Sequence, residues 1–152
     1  MKKLLFALFA VVAAFTVWSC SDDDDGPDYK VIEYSQLPQA AKDFISRHYN
    51  VEEIMKVERD GDHDGSAYEV RFLNGAEVEF DAAGQWVDVD APAGYAIPEG
   101  IAPQPIVNYV TNTFPQYSIN EISREKYGYE IELTNGLDLP FDHDGIFIGH
   151  LN

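Results

Sequence analysis

The chain has 152 residues, enough for one modest domain or two very small ones. Ten lysines and arginines face 27 aspartates and glutamates, a formal net charge of −17. This excess argues against nucleic acid and anionic lipid as partners, and leaves cationic partners, cations or plain solubility as its use.

Residues 1–19 read as a signal peptide. Lys2 and Lys3 form a basic start, and residues 4–17 are apolar apart from Thr16. That stretch is too short to span a membrane and suits a signal core. It ends in Val17-Trp18-Ser19-Cys20, which resembles the lipobox of bacterial lipoproteins, with Trp18 bulkier than the usual residue. On this reading Cys20 is lipidated and the chain is an outer-membrane lipoprotein, facing the periplasm or the cell surface. The alternative is an ordinary secretory signal with an incidental cysteine. Cys20 is the only cysteine, so no disulfide framework or Cys-based metal site is expected. Acyl chains gain about 0.8 kcal/mol per buried CH₂, so several together anchor stably.

Residues 20–30 form an acidic tether. The run Ser21-Asp22-Asp23-Asp24-Asp25 is either a solvated spacer or an export signal. It resembles the acidic signal that sends lipoproteins of some Gram-negative gut bacteria to the outer face. Gly26-Pro27 closes it.

Residues 31–34 (VIEY) predict a short lead-in strand, and Pro38 suits a first helical turn. Ala40, Ala41, Phe44, Ile45, His48 and Tyr49 then fall on one helical stripe that stops near Asn50. Residues 51–59 predict a strand, with Ile54 and Val57 inward, and residues 60–65 a loop. In residues 68–72, Tyr68, Val70 and Phe72 alternate with Glu69 and Arg71, the period of a half-buried strand. Asn74-Gly75 predicts a type I′ hairpin turn. Val78 and Phe80 then alternate with Glu77 and Glu79. The run Asp81-Ala82-Ala83-Gly84 turns the chain into a strand over residues 86–89.

Residues 91–94 link to a second copy. Ile97-Pro98 mirrors Leu37-Pro38, and Ile106, Tyr109, Val110 and Phe114 form a second helical stripe ended by Pro115. Residues 119–126 mirror residues 51–59. Residues 129–151 then repeat residues 68–90, with identities at Tyr68/Tyr129, Glu69/Glu130, Asn74/Asn135, Gly75/Gly136, Phe80/Phe141, Asp81/Asp142 and Gly84/Gly145. Pro140 stands where Glu79 stands, and proline cannot donate to a ladder, so an edge position or an outward amide is expected. The predicted fold class is α+β, two tandem repeats over residues 31–90 and 91–152. Each is one helix packed on a four-stranded antiparallel sheet.

The order Leu-Pro, helix, Tyr-Glu-Val/Ile, Asn-Gly and Phe-Asp-x-x-Gly, present twice, resembles the PepSY-like, beta-lactamase-inhibitor-like lipoproteins of gut bacteria. The resemblance covers roughly residues 31–152. It implies helices on one face of antiparallel sheets, which are separate or run together. It implies no known activity, and no inhibitory loop can be carried over.

Residues 60–65 (DGDHDG) read as half a calcium loop, with Asp60, Asp62 and Asp64 as candidate ligands. Arg71 stands where the bidentate Glu of such a loop belongs, and the flanks read as strands, so an acidic hairpin loop is the competing reading. Asp142, the counterpart of Asp81, suggests that both cap turns through Asx hydrogen bonds. His143 and His150 lack the fixed spacing of a metal pair. His48 reads as a core or boundary residue. No G-x-S-x-G elbow or other convincing catalytic set is present, so no enzyme is expected and no cofactor beyond Ca²⁺ comes into question.

By alternation Glu69, Arg71, Glu77, Glu79 and Trp86 share the face away from the helices in copy one. Glu130, Glu132, Asp138 and Phe147 share it in copy two. Trp86 is either an exposed anchor or tucked at the repeat interface. The expected function is a non-enzymatic, inhibitor-like module, monomeric, touching the membrane only through its lipid. It would bind a cationic protein or peptide on the acidic face. The alternative is a calcium- or cation-binding lipoprotein using Asp60, Asp62 and Asp64.

Overall fold

The computed structural model describes residues 30–59 and 66–149. The expected signal peptide, Cys20, the expected acidic tether up to residue 29, the 60–65 loop with Asp60, Asp62 and Asp64, and His150 lie outside the described residues; Lys30, assigned to the tether, belongs to the first strand. Among those described, no helix is long and apolar enough to cross a membrane.

The fold is α+β: eight strands in one antiparallel sheet, in sequence order, with two helices. The elements are β1 (Lys30–Val31), α1 (Gln39–His48), β2 (Ile54–Arg59), β3 (Tyr68–Phe72), β4 (Glu77–Phe80) and β5 (Trp86–Asp90), followed by α2 (Gln104–Thr113), β6 (Ile119–Glu125), β7 (Gly128–Leu133) and β8 (Asp138–Asp142). The two halves join where β5 pairs with β6, through Asp88↔Ser123, Val89↔Ile122 and Asp90↔Glu121. The sheets therefore run together.

Strict alternation puts Val70, Phe72, Val78, Phe80, Val89, Ile122, Ile131, Leu133, Leu139 and Phe141 on one face, all buried. Both helices cover it. Phe44 of α1 meets Phe80 edge-on at 5.7 Å, and Tyr109 of α2 meets Phe141 the same way at 5.3 Å. Each fully buried phenylalanine contributes about 1.5–3 kcal/mol of apolar transfer.

The repeated Phe-Asp-x-x-Gly turn has a local cause. Asp81 Oδ1 accepts from the amides of Ala83 and Gln85 at 2.9 and 2.8 Å. Asp142 Oδ1 accepts from Asp144 and Ile146 at 3.0 and 2.8 Å. These are the expected Asx caps. Gly84 (φ +80°) and Gly145 (φ +77°) then let the turn approach the helix of its own half. A Cβ at Gly84 would lie 2.7 Å from Pro38 Cβ, and one at Gly145 would lie 3.1 Å from Pro105 Cβ.

Several expectations need correction. Asn74 and Asn135 do not take positive φ; only Gly75 and Gly136 do. The Phe72 amide bonds to Ala76 O at 2.9 Å and the Gly75 amide to Phe72 O at 2.9 Å. That is a three-residue loop, a type I turn closed by a glycine bulge, rather than a two-residue type I′ turn. Residues 34–36 and 51–53 form 3-10 turns instead of extending the strands. The counterpart of Pro38 is Pro103, not Pro98, because each stands immediately before its helix. The fourth strand of the second copy shrinks to a bridge, Phe141↔Phe147, with the Ile148 amide on Pro140 O at 3.0 Å. Pro140 lies on β8, the last strand of the ladder, in keeping with the edge position predicted for it.

Candidate functional site

The face opposite the helices carries two rows of side chains that run across the strands. The register defines them. One row reads Glu58 (β2), Glu69 (β3), Glu79 (β4), Asp88 (β5), Ser123 (β6), Glu130 (β7) and Pro140 (β8). The other reads Lys56, Arg71, Glu77, Asp90, Glu121, Glu132 and Asp138 on the same seven strands. Glu69, Arg71, Glu77, Glu79, Glu130, Glu132 and Asp138 thus share one face, as the alternation predicts.

Trp86 and Phe147 do not. A bulge between Glu79 and Phe80 pairs Phe80 with Trp86 and turns the indole to the helix side. There Trp86 is 9% exposed, 6.4 Å from Phe44 and stacked on Tyr129 at 6.4 Å, with the Arg124 guanidinium 4.0 Å above it. Trp86 is tucked at the junction of the halves. Phe147 stacks on Tyr109 of α2 at 5.0 Å. His48 is a boundary residue, 4.8 Å from Phe44; burial first, then the neighbouring Arg47, lowers its pKa.

The two ends of the face differ in charge. At the β2–β4 end, Arg71 Nε meets Glu69 Oε1, and it also donates to Glu77 Oε2 at 3.0 Å. Its Nη1 lies 3.9 Å from Glu58 Oε2, and Lys56 Nζ lies 2.7 Å from Glu58 Oε1. Glu58 and Glu69 are 6% and 7% exposed, so these cations neutralise nearly buried charge. Burial, then Glu77, push the Glu69 carboxyl up to about 7 against the pull of Arg71. One carboxylate oxygen from each of Glu69, Glu77 and Glu79 lies within 4.8 Å of the others. Arg71 pairs with two of the three, Glu69 and Glu77.

From β4 to β8 the second row is Glu77, Asp90, Glu121, Glu132 and Asp138, an unbroken line of acids on five adjacent strands. At a strand spacing of roughly 4.8 Å it is about 19 Å long. Its centre borders an open depression of about 480 Å³ at the β5–β6 seam, lined by Glu77, Glu79, Asp88, Asp90, Glu121 and Ser123 among others. Burial, then Glu121, Glu79, Asp90 and Glu77, raise the Asp88 carboxyl to about 8. Asp90 is raised by burial, then by Glu77 and Glu132. Glu121 is raised by burial, then by Asp90, Glu132 and Asp138, and is held down in part by a hydrogen bond from Asp88.

Sequence reasoning missed Asp88, Asp90 and Glu121, although Asp88 and Glu121 lie at alternate positions of predicted strands and Asp90 one residue past the predicted end of its own. It also missed Asn120. This side chain is 7% exposed, and its Nδ2 donates to Ala91 O, Pro92 O and Tyr95 O at 3.0, 3.2 and 2.8 Å. It pins the linker between the halves beside the seam.

The family described as "Putative beta-lactamase-inhibitor-like, PepSY-like" matches residues 27–65 and 66–149. Among solved structures, a protein of Bacteroides thetaiotaomicron described as a "putative calcium-regulated periplasmic protein" is similar at 36% identity and a TM-score of 0.75, over 82% of this chain and 98% of that one. A "putative periplasmic protein" of the DUF2874 family from Bacteroides vulgatus is similar at 34% identity and a TM-score of 0.74, over 82% and 98%. A second Bacteroides vulgatus protein, periplasmic and "of unknown function", is 27% identical with a TM-score of 0.72, over 82% and 99%. No curated protein matches. These neighbours are periplasmic proteins, and the matching family is described as inhibitor-like. The chain belongs to the PepSY-like, beta-lactamase-inhibitor-like family.

Proposed function

We propose that this protein is a non-enzymatic lipoprotein, anchored at the outer membrane through Cys20, that captures a cationic protein or peptide on the acidic half of its sheet face. One observation carries the reading. Lys56 pairs with Arg71 between β2 and β3, and at the same register Glu121 pairs with Glu132 between β6 and β7. The first half supplies its own cations. The second half places two acids where they would stand, among Asp90, Glu130 and Asp138. Directly opposed like charges are destabilising, and lysine or arginine side chains from a partner would relieve that repulsion. The two-repeat plan belongs to this reading: a duplicated unit in which one copy offsets part of its charge from within and the other is offset from outside.

Oligolysine, titrated calorimetrically into the full chain in detergent at pH 8, tests this. Binding should weaken steeply with salt, because charges farther apart than about 10 Å are screened at 0.1 M. Glu121→Gln with Glu132→Gln should weaken it by tenfold or more. Binding unaltered by that pair, or none at all, rejects the reading.

A second reading, calcium binding, is supported by the relative described as calcium-regulated. Asp60, Asp62 and Asp64 would supply the carboxylates. A melting temperature raised by millimolar calcium in the native chain, and unmoved in an Asp60→Asn, Asp62→Asn, Asp64→Asn variant, is its expected signature.

A further inference from the structure

The β5–β6 seam joins the two halves, and acidic side chains oppose one another across the ladders on both sides of it. Asp88 is opposed across the ladder by Glu79 on β4 and Ser123 on β6. Asp90 is opposed by Glu77 on β4 and Glu121 on β6, and Glu121 by Glu132 on β7. Glu130 on β7 and Asp138 on β8 continue the face beyond them. The cations nearest in the fold are engaged elsewhere. Arg71 on β3 is held by Glu69 and Glu77, and Arg124 on β6 borders the seam depression beside Glu125 but lays its guanidinium over the Trp86 ring. Ser123 is neutral and cannot offset a carboxylate.

We propose that this seam is a proton-operated latch: mild acidification discharges Asp88, relieves the repulsion it shares with Asp90 and Glu121, tightens the junction between the halves and releases a cationic partner from the face. The discharge stands on the seam alone, while the release rests on the function proposed above.

The linkage has a definite sign. A carboxyl whose pKa is higher in the folded than in the unfolded chain binds its proton more tightly when folded. Its stabilisation is full below the unfolded value of about 4 and is lost as pH rises through the folded value. For Asp88, raised to about 8, that window covers the whole weakly acidic range. A cationic partner prefers the ionised face, so binding and protonation compete. Each proton displaced on binding costs up to about tenfold in affinity per pH unit below the folded pKa.

Two arms test the latch. In the first, the unliganded protein is unfolded by urea from pH 5.5 to 8.5, alongside Asp88→Asn and the control Asp138→Asn, while carbon-13 NMR follows the Asp88 carboxyl. The wild type should grow more stable as pH falls, with an Asp88 midpoint near neutral or above. Asp88→Asn should be the more stable protein at pH 8.5 and show a flatter pH dependence. A flat wild-type curve, an Asp88 midpoint below 5, or an Asp88→Asn curve parallel to wild type overturns the latch. In the second arm, oligolysine is titrated at pH 8 and pH 6 in buffers of different ionisation heat. Affinity should fall at least tenfold at pH 6, with protons released on binding. Binding equal at both pH values overturns the release and leaves the proposed function intact. Oligolysine that binds at neither pH rejects that function and the release together, and the first arm still decides the discharge.

Discussion

The β2–β3 ladder at one end of the open face and the β6–β7 ladder at the other share a backbone feature. Both ladders carry a register shift at the same place, between Ile54 and Lys56 in one and between Ile119 and Glu121 in the other. After each shift two residues face each other across the ladder. In the first they are Lys56 and Arg71, with Glu58, Glu69 and Glu77 around them; in the second they are Glu121 and Glu132. The difference teaches that the backbone does not require charge balance, since one sheet holds both solutions. The cation-bearing end buries Glu58 and Glu69 almost completely, whereas Asp90, Glu121, Glu130 and Glu132 remain half-buried and Asp138 exposed.

Removing the resident cation should break the comparison most strongly. Arg71→Ala leaves Glu69 nearly buried without its cation, and leaves Glu58 with Lys56 alone. Stripping one partner from a fully buried pair costs about 3–5 kcal/mol; because Arg71 itself is partly exposed, a loss of about 2 kcal/mol is expected here. Urea unfolding at pH 8 measures it. The loss should shrink at pH 5.5, because Glu69, raised to about 7, is then protonated and no longer needs the guanidinium.

Exporting the balanced arrangement should sharpen the comparison. Glu121→Lys with Glu132→Arg places the first half's cations in the second. Two like-charge oppositions, Asp90 with Glu121 and Glu132 with Asp138, become attractive. Exposed and half-exposed pairs are worth about 0.2–1 kcal/mol each, so a gain of about 1 kcal/mol at pH 8 is expected, together with loss of oligolysine binding. A swap that destabilises the protein would show that the acids are held by contacts other than charge.

Alternation was enough to place the acids of β3, β4, β7 and β8, because a period of two leaves no freedom about which face a residue takes. Trp86 escaped that logic through a bulge, which adds one residue and reverses every side chain beyond it. Asn120 escaped for a related reason. It lies inside the register shift of β6, where its counterpart in β2 is Met55, 58% exposed. Only the linker carbonyls of Ala91, Pro92 and Tyr95 explain a buried amide there, and they are distant in sequence. The hairpin turns were misjudged between two geometries that the same Asn-Gly letters serve. The merging of two sheets into one depended on Val89↔Ile122, a contact between repeats that no motif within a repeat encodes.

The smallest expected effect concerns salt. Neighbouring acids in the row are roughly 4.8 Å apart, and its ends about 19 Å. The screening length falls from about 30 Å at 0.01 M to about 10 Å at 0.1 M and 3 Å at 1 M. Moderate salt therefore weakens repulsion along the row before it affects adjacent residues. The wild-type protein at pH 8 should gain a few tenths of a kcal/mol between about 0.01 and 0.1 M salt, within the scale of exposed charge pairs. The Lys/Arg swap should lose a similar amount over the same range, because its cross-strand pairs attract. Opposite signs in the two proteins, read from urea midpoints in matched buffers, would place the uncompensated charge at Glu121 and Glu132. The same sign in both would mean that the chain's overall acidity sets its salt response, and that the second half of the face is no more repulsive than the first.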